Sequence, residues 1–142
     1  MAPLPVLIVE DDQPLRFLLT ALLTQNNYTF DAVGEGGVAI DCMRRKDYGA
    51  ILLDLMLPGT NGFEVLQYIY AEQRELMKSV IVITAASKHT LQDFDDSTVG
   101  ALIRKPFDIH RLLETLDRVT RRENPEHRGD EKPPLTSAYH VH

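Results

Sequence analysis

Five short runs of aliphatic and β-branched residues recur along the chain at similar intervals: VLIV from Val6, YTFDAV from Tyr28, AILL from Ala50, VIVIT from Val80 and ALI from Ala101. The stretches between them carry helical spacing. Leu15, Leu18, Leu19, Leu22 and Leu23 form one apolar stripe, and Ile109, Leu112, Leu113, Leu116 and Val119 form another. Val38, Ala39, Cys42 and Met43 make a shorter stripe, and Phe63, Leu66 and Ile69 a fourth. The weakest helical segment is KHTLQDFDDSTVG, with only Leu91, Phe94 and Val99 to bury. Strand alternating with helix five times predicts an α/β, doubly wound (βα)5 domain, a five-stranded parallel sheet covered on both faces. The runs are continuously apolar, as burial on both sides demands. The second and fifth are the least apolar and are the expected edges. Pro14 suits the first turn of its helix, with Asp12 or Gln13 as the cap.

The last stripe ends near Arg122, so residues 1–122 read as the folded domain and 123–142, rich in Pro, His and charge, as a flexible tail or linker stub. A net charge of −6 over 142 residues argues against a broad nucleic-acid footprint. Cys42 is the only cysteine, which excludes an internal disulfide and a thiolate metal cage and fits a reducing compartment. No segment has the length of a membrane span, and MAPLPVLIVEDD lacks the basic start of a secretory signal, so a cytoplasmic location is expected.

The polar residues at the strand ends carry the chemistry. The first run passes into Glu10, Asp11 and Asp12, the third into Asp54, the fourth into Thr84, and the fifth into Lys105 followed by Pro106. In an open parallel sheet these carboxyl ends share one edge, where ligands bind. Asp54 lies within the run ILLDLMLPG, where an isolated charge would cost many kcal/mol. Three carboxylates (Glu10, Asp11 and Asp54) need a counterion to share a small site, and an all-oxygen set suits a hard cation, Mg2+ in particular. A carboxylate so relieved can act as a nucleophile, while Thr84 can donate a hydrogen bond and Lys105 can supply positive charge to a phosphoryl group. Each residue also has an ordinary explanation. The acids could cap a helix, Asp54 could be a turn carboxylate, Thr84 could reflect strand propensity, and Lys–Pro could be a plain turn. It is their joint occurrence at four strand ends that points to a site.

These motifs resemble the receiver domain of bacterial response regulators. VLIVEDDQPLRFLLTALL is similar to the family's opening strand, acid pair and first helix, LLDLMLPGTNGFEVL to its phosphoacceptor strand and loop, VIVITA to its fourth strand and KPFDIHRLLETL to its lysine–proline turn and last helix. The similarity spans roughly residues 5 to 121. It implies a flavodoxin-like fold with strand order 2-1-3-4-5 and a cis bond between Lys105 and Pro106. It implies that Asp54 is the phosphorylated residue, and that Mg2+ is held by Asp11 directly, by Glu10 through water and by the backbone carbonyl of Met56. Thr84 would bond the phosphoryl group and Lys105 would pair with it. The implied donor is a histidine kinase or phosphotransfer protein, and the implied output is a switched partner-binding surface, with the domain a monomer or a phosphorylation-dependent dimer. Small Ala85 implies autodephosphorylation, without turnover of a separate substrate. The chain departs from the pattern at Leu102, where the family usually has an aromatic switch residue, and in a stretch from Gly100 to Lys105 about two residues short. These departures carry the alternative of a degenerate receiver that acts as a constitutive interaction module. A phosphatase of the haloacid-dehalogenase type would need an acid at Met56, and a flavin or nucleotide binder a phosphate-cradling loop in place of EDDQP.

Overall fold

The computed structural model describes residues 3–57, 59 and 61–123, and the reading of 124–142 as a tail lies outside those residues. Five strands, β1 (Val6–Val9), β2 (Phe30–Val33), β3 (Ala50–Asp54), β4 (Val80–Thr84) and β5 (Ala101–Arg104), pair in parallel in the order β2-β1-β3-β4-β5. The fold class is the expected one, with β2 and β5 at the edges. Four α-helices cover the sheet among the described residues: α1 (Gln13–Gln25), α2 (Gly36–Arg45), α3 (Gly62–Glu72) and α4 (Ile109–Glu123).

The alternation of side chains along each strand sorts the core into two layers. Leu7, Val9, Ile51, Leu53, Val80 and Val82 face α2 and α3 and pack with Ala39, Met43, Val65 and Ile69. Val6, Ile8, Leu52, Ile81 and Ile83 face the other way, against Leu19 and Leu23 of α1 and Leu112, Leu116 and Val119 of α4. Each such side chain contributes roughly 2 kcal/mol when fully buried. The helix stripes are narrower than the sequence implies, because Leu18, Val38 and Ile109 lie exposed at their margins. Asp12 caps α1 by accepting from the Leu15 N–H at 2.9 Å, with Pro14 in the first turn. No helix among the described residues is long and apolar enough to cross a membrane.

The weakest expected helix does not form. Turns and a short 3-10 segment (Asp96–Thr98) join β4 to β5 instead. Leu91 and Val99 are buried and Phe94 is partly so, but three anchors do not complete an amphipathic face. The acids compete for the backbone as well. Asp95 accepts from both the N–H and the hydroxyl of Ser97, a local arrangement that replaces a helical turn. A second unforeseen 3-10 segment, Arg74–Ser79, leads from α3 into β4.

Edge strand β2 is tied down by a side chain from outside it. The Tyr48 hydroxyl, on the connection from α2 to β3, donates to Asp31 Oδ2 at 2.6 Å, and Lys46 Nζ reaches the same oxygen at 2.9 Å. The Tyr48 hydrogen bond, with Lys46 beside it, holds the Asp31 carboxyl below its ordinary value. Tyr48→Phe is expected to cost about 1 kcal/mol in urea denaturation, toward the low end for a bond to a charged group because Asp31 is partly exposed. A lowered carboxylate pKa stabilises the fold above the unfolded value near 4. The wild-type advantage over Tyr48→Phe should therefore hold above about pH 4 and shrink as pH falls through the depressed pKa.

Candidate phosphoryl and metal site

The parallel register brings the strand-end residues to one edge of the sheet. Asp54 is the last residue of β3 and Thr84 the last of β4, while Glu10 and Lys105 directly follow β1 and β5. Because β1 lies beside β3, with Val9 opposite Leu53, the acids after β1 face the end of the strand that carries Asp54. Glu10, Asp54 and Thr84 are only 2%, 4% and 0% exposed, whereas Asp11 is exposed at the rim.

Lys105 closes the site from the far side. Its Nζ lies 3.1 Å from Asp54 Oδ2 and 3.1 Å from Glu10 Oε1, so one ammonium bridges two buried carboxylates. The Lys105–Pro106 bond is cis, as the resemblance implies, and the Lys105 N–H donates to the Thr84 carbonyl at 2.9 Å. Asp54 Oδ1 accepts from the Met56 N–H at 2.9 Å, and Glu10 Oε2 accepts from the Asp12 N–H at 3.1 Å. The Thr84 hydroxyl accepts from the Ala86 N–H at 3.0 Å.

The electrostatics follow from that packing. Burial, with the Asp54 charge beside it, raises Glu10 to about 7 even though the Asp12 N–H and Lys105 favour its ionised form. Burial alone would lower Lys105, but its hydrogen bond to Asp54 and the charges of Glu10 and Asp54 outweigh that and raise it. Carboxylate oxygens of Glu10, Asp11 and Asp54 all lie within 4.8 Å of one another. Three acids with one ammonium among them leave negative charge to be balanced, and the donors are all oxygen, so the set fits a hard divalent cation such as Mg2+. Of the residues expected from the sequence, Glu10, Asp11, Asp54 and Lys105 gather by direct contact or close approach, and Thr84 ends the adjoining strand. Met56 joins through its N–H rather than through the carbonyl expected to hold a metal.

Other contributors were not evident from the residues alone. Asn61 and Glu64 form a capping box at the start of α3, each side chain bonding the other's backbone N–H, at 3.0 and 2.9 Å. The spacing of Asn61 and Glu64 in NGFE is the signal that could have shown it. Arg104 Nη2 donates to the Ala86 carbonyl at 3.0 Å and joins β5 to the turn beyond Thr84. Gly62 lets α3 begin against the end of β3. A Cβ there would stand 2.5 Å from the Asp54 carbonyl oxygen and 2.4 Å from Leu55 Cα.

A family model described as Response regulator receiver domain matches residues 6–117. Response regulator ArlR of Staphylococcus epidermidis is 38% identical over 120 residues, covering 83% of this chain and 53% of the relative. The chain thus spans about half the length of the curated relatives it matches. Among solved structures, the receiver domain of sensor histidine kinase PA1611 from Pseudomonas aeruginosa PAO1, with a magnesium ion coordinated in its active-site cleft, superposes with a TM-score of 0.75 at 26% identity, covering 84% of this chain and 98% of that one. Response regulator protein TrrA from Thermotoga maritima, in complex with Mg(2+)-BeF, gives 0.72 at 26% identity over 81% of this chain and 97% of that one.

The contact at Gly62 yields a stability prediction. Gly62→Ala forces backbone apart rather than a flexible side chain, so it is expected to cost about 3 kcal/mol, at the upper end for overpacking, in chemical denaturation. Gly59→Ala, where nothing lies within 4 Å and only the positive φ of 66° resists, should cost about 1 kcal/mol.

Proposed function

Because the chain belongs to the response regulator receiver domain family, we propose that Asp54 accepts a phosphoryl group from the phosphohistidine of a histidine kinase or phosphotransfer protein and that the aspartyl phosphate switches a partner-binding surface. The observation that carries this reading is the Lys105 ammonium seated between the buried carboxylates of Asp54 and Glu10. A purely structural acid at a strand end has no need of a second acid beside it.

In this reading an Asp54 carboxylate oxygen forms the new bond to phosphorus as the phosphorus–nitrogen bond of the donor breaks, and the imidazole leaves with that electron pair and takes up a proton. Asp54 is aimed for the attack by the Met56 N–H on one oxygen and Lys105 on the other. Glu10, Asp11, Asp54 and the Met56 carbonyl would hold Mg2+. When bound, the cation offsets the charge that otherwise repels the incoming phosphoryl oxygens. Lys105 stays paired with the product and neutralises part of its charge, about two units against the one of the carboxylate it replaces.

Thr84 supplies the response. Its hydroxyl now accepts from the Ala86 N–H, and turning to donate to a phosphoryl oxygen would release that bond. Ala86 is joined in turn to Arg104 of β5, so the change reaches the turns between β4 and β5. A rearrangement that differs from the resting state by a few kcal/mol suffices for such a switch. Exposed Ala85 leaves the phosphoryl group open to water, which favours self-limited hydrolysis rather than turnover of a separate substrate. One observation favours the second reading, a constitutive interaction module: Leu102 packs partly buried against the core instead of presenting an aromatic switch.

Treatment with acetyl phosphate and Mg2+ followed by intact mass measurement should show one added phosphoryl group on the wild type and none on Asp54→Asn. Lys105→Met should reduce the modified fraction at least tenfold, on the order of 2 kcal/mol of lost charge stabilisation. Thr84→Ala should still be modified but lose most of the wild-type shift in amide NMR resonances between 85 and 104 on adding beryllofluoride with Mg2+. A wild-type chain that is modified without any such shift would establish the constitutive module, and one that is not modified would refute the phosphoacceptor role.

A further inference from the structure

The loop that carries Glu10 and Asp11 is gripped by a residue outside the acidic cluster. Arg16, on the first turn of α1, extends Nη1 to the Glu10 carbonyl oxygen at 2.7 Å. That oxygen belongs to the peptide joining Glu10 to Asp11. The two ends of this peptide are the Cα atoms that carry the Glu10 and Asp11 side chains, so the grip on its oxygen helps to fix the backbone from which both carboxylates project. Its neighbours are fixed on either side: the Glu10 N–H donates to the Val33 carbonyl at 3.0 Å, and the Asp12 N–H to the Glu10 side chain at 3.1 Å. Asp11 reaches the cluster from the exposed rim, so its direction depends on the backbone that carries it.

Space for this grip comes from Gly34, just beyond β2. A Cβ at Gly34 would lie 3.0 Å from Arg16 Nη1 and 3.8 Å from the Glu10 carbonyl oxygen. The guanidinium therefore rests over a bare backbone, and a methyl group there would push it by a few tenths of an ångström. Gly34 is not among the glycines with a positive φ, so its bareness serves the approach of Arg16 and not the turn.

We infer that Arg16 is a positioning residue for the divalent-cation site, holding the Glu10–Asp11 peptide so that both acids converge with Asp54. This rests on the reading of the acidic cluster as an Mg2+ centre. Electrostatics alone give the opposite sign of effect. Arg16 is a positive charge near a cation site, so its removal would tighten Mg2+ binding if charge were its whole contribution. Loss of positioning weakens binding, as removal of a group that orients metal ligands does, typically tenfold or more.

The test is Mg2+ binding to the full chain by isothermal titration calorimetry, without a phosphoryl donor, alongside thermal melting without metal. Arg16→Met should raise the Mg2+ dissociation constant about tenfold. Gly34→Ala keeps every charge and crowds the guanidinium, so it should raise the constant in the same direction by roughly threefold, and it serves alone if Arg16→Met does not fold. A dissociation constant that is unchanged or lower in the folded variants overturns the inference. An unchanged constant with a lower melting temperature would mark a purely structural residue, and a tighter one an electrostatic residue. Absence of Mg2+ binding by the wild type overturns the reading of the site itself, and the inference with it.

Discussion

Glu10, Asp54 and Lys105 meet where water barely reaches, and their charges do not cancel. Two carboxylates share one ammonium, with a third carboxylate, Asp11, close by at the rim. Placing ions there costs several kcal/mol each before attraction repays it, and hydrophobic residues of the same volume would often be as stable or more so. The arrangement survives because the rest of the domain supports it. Two layers of aliphatic packing hold the strands, and backbone N–H groups from Met56 and Asp12 satisfy the carboxylate oxygens that Lys105 does not reach. Local instability of this kind is the usual mark of a site shaped by its chemistry rather than by folding.

Topology explains why these residues and no others could build the site. The order β2-β1-β3-β4-β5 sets β1 beside β3, so the two acidic strand ends are neighbours, while β5 is separated from β3 by the whole width of β4. With strands about 4.8 Å apart, a group on the β5 end must cross nearly 10 Å to reach Asp54. Lysine, starting from the turn after β5 and anchored through its N–H on the Thr84 carbonyl, makes that crossing. Thr84 ends the strand it passes over. Acid, hydroxyl and ammonium are thus ordered by the sheet itself.

What could be read from the chain beforehand follows from the range of the forces involved. Strand runs and helix stripes are local patterns, and they were legible, as were the polar residues that end each strand. Strand order is not local. It came from the family resemblance, since no periodicity in residues 1–122 distinguishes one parallel order from another. The segment 88–100 reads as the weakest helix, with only Leu91, Phe94 and Val99 to bury, and Asp95 prefers its own local bonds. Gly62 and Gly34 were silent for another reason. What each permits is an approach by Asp54–Leu55 or Arg16, and such an approach exists only once the chain has folded.

The missing helix bears directly on how a signal could leave the site. A regular helix between β4 and β5 would hold its backbone by its own ladder and would move as a unit. Here the first fastenings after Thr84 are single bonds: the Ala86 N–H to the Thr84 hydroxyl, and the Ala86 carbonyl to Arg104. Farther along, the edge-to-face pair Phe63–Phe94, with ring centroids 6.2 Å apart, pins the segment to the start of α3. Each such contact is worth on the order of 1 kcal/mol. Burial of Leu91 and Val99 holds the rest of the connection, whereas its start beyond Thr84 is set by two single bonds that share Ala86. A phosphoryl group that draws the Thr84 hydroxyl away would remove the first and strain the second, a change felt at the start of the connection. On the proposed reading the responsive element is the turn that starts at Thr84, with Arg104 as a contact on β5.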